Sequence, residues 1–166
     1  MTGEIFMTTG QYNGMFVHHG RVQFYDCDPM GVVWHGNYLK FMEEARHSLL
    51  FEIGYDYDMI REEDFYDLPV IEVNFIKYIR PLRAGDAYDV ILLIRECGVR
   101  LVFDYVIGKD DTVCVKARTT QCAVNRKTGA MEFQMPERLA DHILGACSAG
   151  KFEVRPYGCY RGGVLR

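Results

Sequence analysis

Between Phe24 and Tyr38 the chain gathers two carboxylates, Asp26 and Asp28, with His35, Gly31 and Gly36, just before a helical pattern begins. The amino terminus of a helix carries unpaired backbone N–H groups and the positive end of its dipole. Such groups can polarise a carbonyl and hold the oxyanion that forms when it is attacked. A nearby carboxylate can attack that carbonyl or activate a water. Asp28 heads Asp28-Pro29-Met30-Gly31, which is also the chemistry of a turn closed by an Asx hydrogen bond. Asp26 lies two positions earlier, and a structural role toward the N–H groups of the loop suits it best. Cys27 is flanked by negative charge, which makes its thiolate scarce, so it reads as packing. Asp26, Asp28 and His35 have no metal-ligand spacing, and no metal is expected. His18 and His19 have no partner evident from the sequence.

The elements that must hold this segment follow from periodicity. Met15 to Tyr25 alternates weakly and is rich in Val and aromatics, the pattern of a first strand. Tyr38, Phe41, Met42, Ala45, Leu49 and Ile53 recur at helical spacing, with Asn37 as a candidate cap and Gly54 as the stop. Glu43 and Arg46, three apart, read as a pair on the helix surface or at a subunit interface. Tyr55 to Leu68 reads as a loop with a short helical turn. Strands follow: Ile71, Val73, Phe75 and Ile79; then Tyr88, Val90, Leu92 and Ile94; then Leu101, Phe103, Tyr105 and Ile107; then Val113 to Val124. Turn residues at 81–86, Gly98 and 108–111 separate them, and tight turns force antiparallel pairing. Pro136 to Ala146 reads as a terminal helix. The fold class is α+β: an antiparallel sheet of five or six strands wrapped around one long helix, its edges open to pairing with a second copy.

Length and composition bound the rest. A chain of 166 residues with 49% apolar and 25% charged types fits one soluble domain. The domain spans 15–147, with an arm at 1–14 and an irregular Gly- and Arg-containing tail at 148–166. No apolar run approaches the ~20 residues of a membrane-spanning helix. A net charge of -4 argues against nucleic acid as the main partner. The six cysteines form no C-x-x-C and no zinc-finger spacing, which points to free thiols in the cytoplasm.

The pattern Asp26-x-Asp28-x-x-Gly31-x-Val33-x-His35-x-x-Tyr38, followed by Phe41-x-Glu43-x-Ala45-Arg46, resembles the hot-dog-fold acyl-CoA thioesterases. It is most similar to the 4-hydroxybenzoyl-CoA thioesterase family, including its Tol-Pal-associated members. Asp26-Cys27-Asp28-Pro29 and Trp34 lean toward the 4-hydroxybenzoyl-CoA branch. His35 and Glu43-x-Ala45-Arg46 lean toward the Tol-Pal branch. Phe24 stands where some members carry a tyrosine. The turn Arg80-Pro81-Leu82-Arg83-Ala84-Gly85-Asp86 also fits, and the resemblance spans about 18–145.

The resemblance implies hydrolysis of an acyl-CoA thioester, with Asp28 as nucleophile or general base and His35 assisting. It implies substrate contacts from Tyr25, Val33, Trp34, Gly36, Asn37, Tyr38 and the basic Arg100, and assembly as a homodimer or homotetramer. Arg80, Arg83, Arg118, Arg126 and Lys127 are further candidates for the CoA phosphates. Coenzyme A is part of the substrate, and no separate cofactor is implied. An acyl carrier protein is an alternative donor of the acyl group. The competing reading is a module of the same fold that binds acyl-CoA or acyl carrier protein without hydrolysis.

Overall fold

The structure is a computed structural model that describes residues 16–150, so the expectations for the arm at 1–14 and for the tail beyond 150 lie outside the described residues. Strand β1 (Phe16–Arg21) leads through a 3-10 turn (Phe24–Asp26) to helix α1 (Asn37–Glu52). A single helical turn (Met59–Glu63) and β2 (Tyr66–Asp67) precede β3 (Val70–Tyr78), β4 (Ala87–Cys97), β5 (Leu101–Lys109) and β6 (Thr112–Gln121). Two short strands, β7 (Ala123–Asn125) and β8 (Met131–Glu132), and helix α2 (Glu137–Ser148) complete the described order. The main sheet is five-stranded in the order β1-β4-β5-β6-β3, and each neighbouring pair is antiparallel. Strands β2, β7 and β8 form a small second sheet.

The helix stripe is buried as its spacing predicts, from Tyr38 through Ile53. It packs mainly on β1 and β4, against the inward row Tyr88, Val90, Leu92 and Ile94 and the neighbouring row Leu101, Phe103, Tyr105 and Ile107. At its end the Gly54 N–H bonds the Phe51 carbonyl and the Tyr55 N–H reaches back to that of Leu50. This is a Schellman closure, and Gly54, at φ 74°, supplies its left-handed residue. His142 Nδ1 lies 2.8 Å from the Ile53 carbonyl and ties α2 to the same helix end. Helix α2 adds Leu139, Ile143 and Ala146 to the core and ends two residues beyond the expected Ala146.

Four expectations are corrected. The first strand ends at Arg21 rather than Tyr25, because the Gln23 N–H bonds the Asp26 carboxylate at 2.8 Å and the chain curls into the 3-10 turn. Asn37 does not cap α1 with its side chain; Gly36 occupies the cap position and no side-chain cap is formed. Arg46 is not on the helix surface. Its side chain is 4% exposed, and its guanidinium donates to the Tyr105 hydroxyl inside the core while pairing with the exposed Glu43. Strand β3 does not bury an alternating face: Ile71 is 53% and Val73 42% exposed. It forms one edge of the sheet, carries two register irregularities, and lies beyond the strands on which α1 mainly packs.

The outward face of the sheet is organised by Asp104 on β5. Its side chain is fully enclosed and takes hydrogen bonds from Arg95 on β4 and Arg118 on β6, which laces three central strands together. Cys27, Cys97, Cys114 and Cys122 are free thiols. Among the described residues no helix is long and apolar enough to cross a membrane.

Removing one partner of a buried ion pair typically costs about 3–5 kcal/mol. Asp104→Ala should therefore lower unfolding stability by about 3 kcal/mol or more, read as a drop in the urea midpoint with an unchanged slope.

Candidate active site

The segment 22–38 is held from both ends. The Val22 N–H bonds the Asp86 carbonyl, and the Val33 N–H bonds the Leu82 carbonyl at 2.8 Å. Tyr38 reaches the same 81–83 turn: its buried hydroxyl accepts the Leu82 N–H at 3.1 Å. Burial pushes the Tyr38 phenol above its ordinary pKa, so it stays protonated. Two residues spaced five apart, Val33 and Tyr38, thus fix the Asp28 loop to the turn between β3 and β4.

Within the loop the chain doubles back. The Asp28 N–H bonds the Val32 carbonyl at 2.8 Å, the Gly31 N–H bonds the Asp28 carbonyl at 2.9 Å, and Cys27 and Val33 form an antiparallel bridge. Gly31 takes a φ of 75°, the left-handed turn position that favours glycine. One carboxylate oxygen of the half-buried Asp28 accepts the Met30 N–H at 2.8 Å. That is the expected Asx turn, and it leaves the other oxygen without a partner among the described residues. The turn hydrogen bond therefore leaves one carboxylate oxygen available.

Asp26 faces elsewhere because it closes the 3-10 turn. It is 5% exposed, its carboxylate accepts the Gln23 N–H, and its carbonyl accepts the Trp34 N–H and the Asn37 side-chain amide, both at 2.9 Å. Cys27 packs against the core.

The start of α1 has amides to spare. The Asn37 N–H is taken by the Trp34 carbonyl and that of Leu39 by the Gly36 carbonyl. Those of His35, Gly36 and Tyr38 have no partner among the described residues. With no side-chain cap, this helix end retains donors that a bound oxyanion could use. The Trp34 indole lies over Gly36, where a Cβ would stand 2.3 Å from the ring. His35 is exposed, with its ring 5.0 Å from that of Trp34 and 6.3 Å from that of Tyr78. It makes no hydrogen bond to Asp28.

The other expected contact residues divide into two groups. Tyr25 and Trp34 are exposed beside the loop, at 79% and 48%. Val33, Asn37 and Tyr38 are buried in the chain's own packing. Arg100 sits on the β4–β5 turn, 3.6 Å from Glu96. The basic residue that the structure brings to the loop is Arg83, whose guanidinium donates to the Gly31 carbonyl at 3.4 Å. Arg118 is engaged by Asp104, Arg126 reaches Glu62 and Asp67, and Lys127 lies 3.9 Å over the Phe65 ring. Among the described residues no three His, Cys, Asp or Glu side chains cluster as metal ligands.

Three contacts had no signal in the sequence. Tyr78, on the edge strand, donates to the His35 carbonyl at 3.0 Å and fixes the residue before the helix. His18 meets Ser48 at 3.0 Å, with burial holding its pKa below the usual imidazole value, and His19 meets Asp89 at 2.6 Å. Each pairing joins residues at least 30 positions apart.

Against this geometry the comparisons with known proteins are consistent. The profile of the thioesterase-like superfamily matches residues 22–143, and the chain belongs to that family. A putative esterase of Aquifex aeolicus is 34% identical over 129 residues, which span 76% of this chain and 98% of that protein. A putative acyl-CoA thioesterase of Bacillus subtilis is 28% identical over 109 residues, 64% of this chain and 78% of that one. The crystal structure of a 1,4-dihydroxy-2-naphthoyl-CoA thioesterase from Synechocystis superposes with a TM-score of 0.71 at 23% identity, over 79% of this chain and 96% of that chain. The fold is the hot-dog fold that the resemblance implies.

Tyr38→Phe keeps the ring and removes the acceptor for the buried Leu82 N–H. It should cost about 1–3 kcal/mol of stability, measured by denaturant unfolding, with the rest of the core intact.

Proposed function

We propose that this protein hydrolyses acyl-CoA thioesters at Asp28. The observation that carries the reading is the placement of Asp28: a carboxylate with one oxygen unpartnered among the described residues, on a closed turn in the segment that leads into the uncapped start of α1. The name of the Bacillus subtilis relative supports the acyl-CoA substrate class. Asp28 attacks the thioester carbon, or takes a proton from the water that does. The carbonyl oxygen gains charge and is held by the amides of His35 and Gly36. The carbon–sulfur bond then breaks, the sulfur leaves and takes up a proton, and water supplies the hydroxyl of the acid product. His35 assists from the mouth of the site, where its exposed imidazole can return a proton to the sulfur. The chemistry needs no metal or redox cofactor, because coenzyme A arrives as part of the substrate.

Within the family we place the chain nearest the 4-hydroxybenzoyl-CoA and Tol-Pal-associated group, on the strength of Asp26-Cys27-Asp28-Pro29 and His35. Tyr25 and Trp34 offer flat aromatic surface to the acyl group, which favours aromatic or short acyl chains. Arg83 or Arg100 meets the CoA phosphates. The exposed apolar edge strand β3 pairs with a second copy, in a homodimer or homotetramer that works in the cytoplasm.

Turnover of an acyl-CoA panel, followed with a thiol-reactive dye, tests the reading. Asp28→Asn should lower kcat at least ~100-fold, the lower range for loss of an essential acid–base group. Near-wild-type kcat in that variant removes Asp28 from the reaction. Tight acyl-CoA binding without turnover in the wild type points instead to a binding module. Benzoyl-CoA should be hydrolysed faster than palmitoyl-CoA, and the reverse order overturns the aromatic preference.

A further inference from the structure

We propose that Asn37 and Asp26 form a latch that positions the Asp28 turn against the open amides of α1. The proposal rests on the assignment of Asp28 as the catalytic carboxylate. Asn37 is the first residue of the helix and is 5% exposed. A buried side-chain amide is costly unless it is hydrogen-bonded. Here its Nδ2 donates to the Asp26 carbonyl at 2.9 Å. The same carbonyl accepts the Trp34 N–H at 2.9 Å, so both of its lone pairs are used.

The other end of Asp26 is also fixed. Its carboxylate accepts the Gln23 N–H at 2.8 Å and closes the 3-10 turn that swings the chain away from β1. One residue therefore joins the strand exit, the far side of the loop and the helix start. Residues 27–33 lie between its contacts, and their own hydrogen bonds transmit its position to Asp28. Without the Asn37 bond the loop retains the Trp34 contact as a hinge about which the turn can swing. Displacement of a reacting group by ~1 Å costs on the order of 100-fold in rate. Asn37 is thus a positioning residue that acts through Asp26, and it does not touch the substrate.

The chain carries a reporter for this latch. Trp34 is its only tryptophan, and its N–H lies on the same Asp26 carbonyl. Asn37→Asp is nearly isosteric, and it exchanges the donating amide for a carboxylate that the Asp26 carbonyl repels. Gln23→Pro removes the bond to the Asp26 carboxylate at an exposed position, where φ, at -89°, is close to proline's range. Each variant should lower kcat ~10- to 100-fold with KM within about threefold. Each should also raise acrylamide quenching of Trp34 and red-shift its emission, while far-UV circular dichroism shows a folded protein.

A rise in KM with unchanged kcat would make Asn37 a substrate contact and overturn the proposal. So would unchanged kcat and unchanged Trp34 quenching in both folded variants. Activity that falls only in step with the folded fraction, with native Trp34 emission in that fraction, would leave a purely structural role and also overturn it. If the wild type turns over no acyl-CoA, the functional reading fails by itself; the quenching of Trp34 still decides whether the latch exists. Should Asn37→Asp not fold, Gln23→Pro carries the same measurement.

Discussion

The structure depends on burying one stripe of α1 against β1, β4 and β5. Tyr38, Phe41, Met42, Ala45 and Leu49 are each at most 3% exposed. A helix held along that line cannot slide or rotate without exposing apolar area, at roughly 25 cal/mol per Å². Its amino terminus is therefore a fixed point in space. The 22–36 segment has only to bring a carboxylate to that point. It does so with backbone hydrogen bonds at both ends and with two side chains from the helix: Asn37 reaches back to the Asp26 carbonyl, and Tyr38 reaches across to the 81–83 turn.

Much of this was legible in the sequence. The helical spacing of the stripe, the stop at Gly54, the turn chemistry at 81–86 and 108–111, and the alternation of the central strands follow from local rules, and the structure agrees with them. Asp28-Pro29-Met30-Gly31 announced its turn. The misses share a physical cause: they concern what a side chain meets across the fold. Arg46 has the spacing of a surface pair but turns inward, because Tyr105, 59 residues away, offers it an acceptor. Ile71 and Val73 have the alternation of a buried strand, yet β3 sits at the sheet edge beyond the reach of most of the helix. Asn37 has the chemistry of a cap, but the Asp26 carbonyl competes for its amide and holds it.

The division of labour in the loop also follows from geometry. Asp26 and Asp28 are chemically identical and separated by one residue, yet one is enclosed and the other keeps an oxygen open. The chain turns between them: Asp26 closes the 3-10 turn on the Gln23 N–H, and Asp28 closes the next turn on the Met30 N–H. Enclosure suits a carboxylate that organises backbone donors. Partial exposure suits one that must meet a substrate.

The strand order carries a consequence for how the molecule forms. Strands β4, β5 and β6 are consecutive hairpins, so their contacts are local and close quickly. Strand β1 must find β4 about 70 residues along the chain, and β3 must find β6 about 45 away. The Asp28 loop and α1 lie between those two late-joining strands. Loop-closure entropy therefore favours the β4–β6 meander as the first part of the sheet to form, with the Asp28 loop fixed later, as its flanking strands dock. A chain caught part-way would hold most of its sheet without that loop in place.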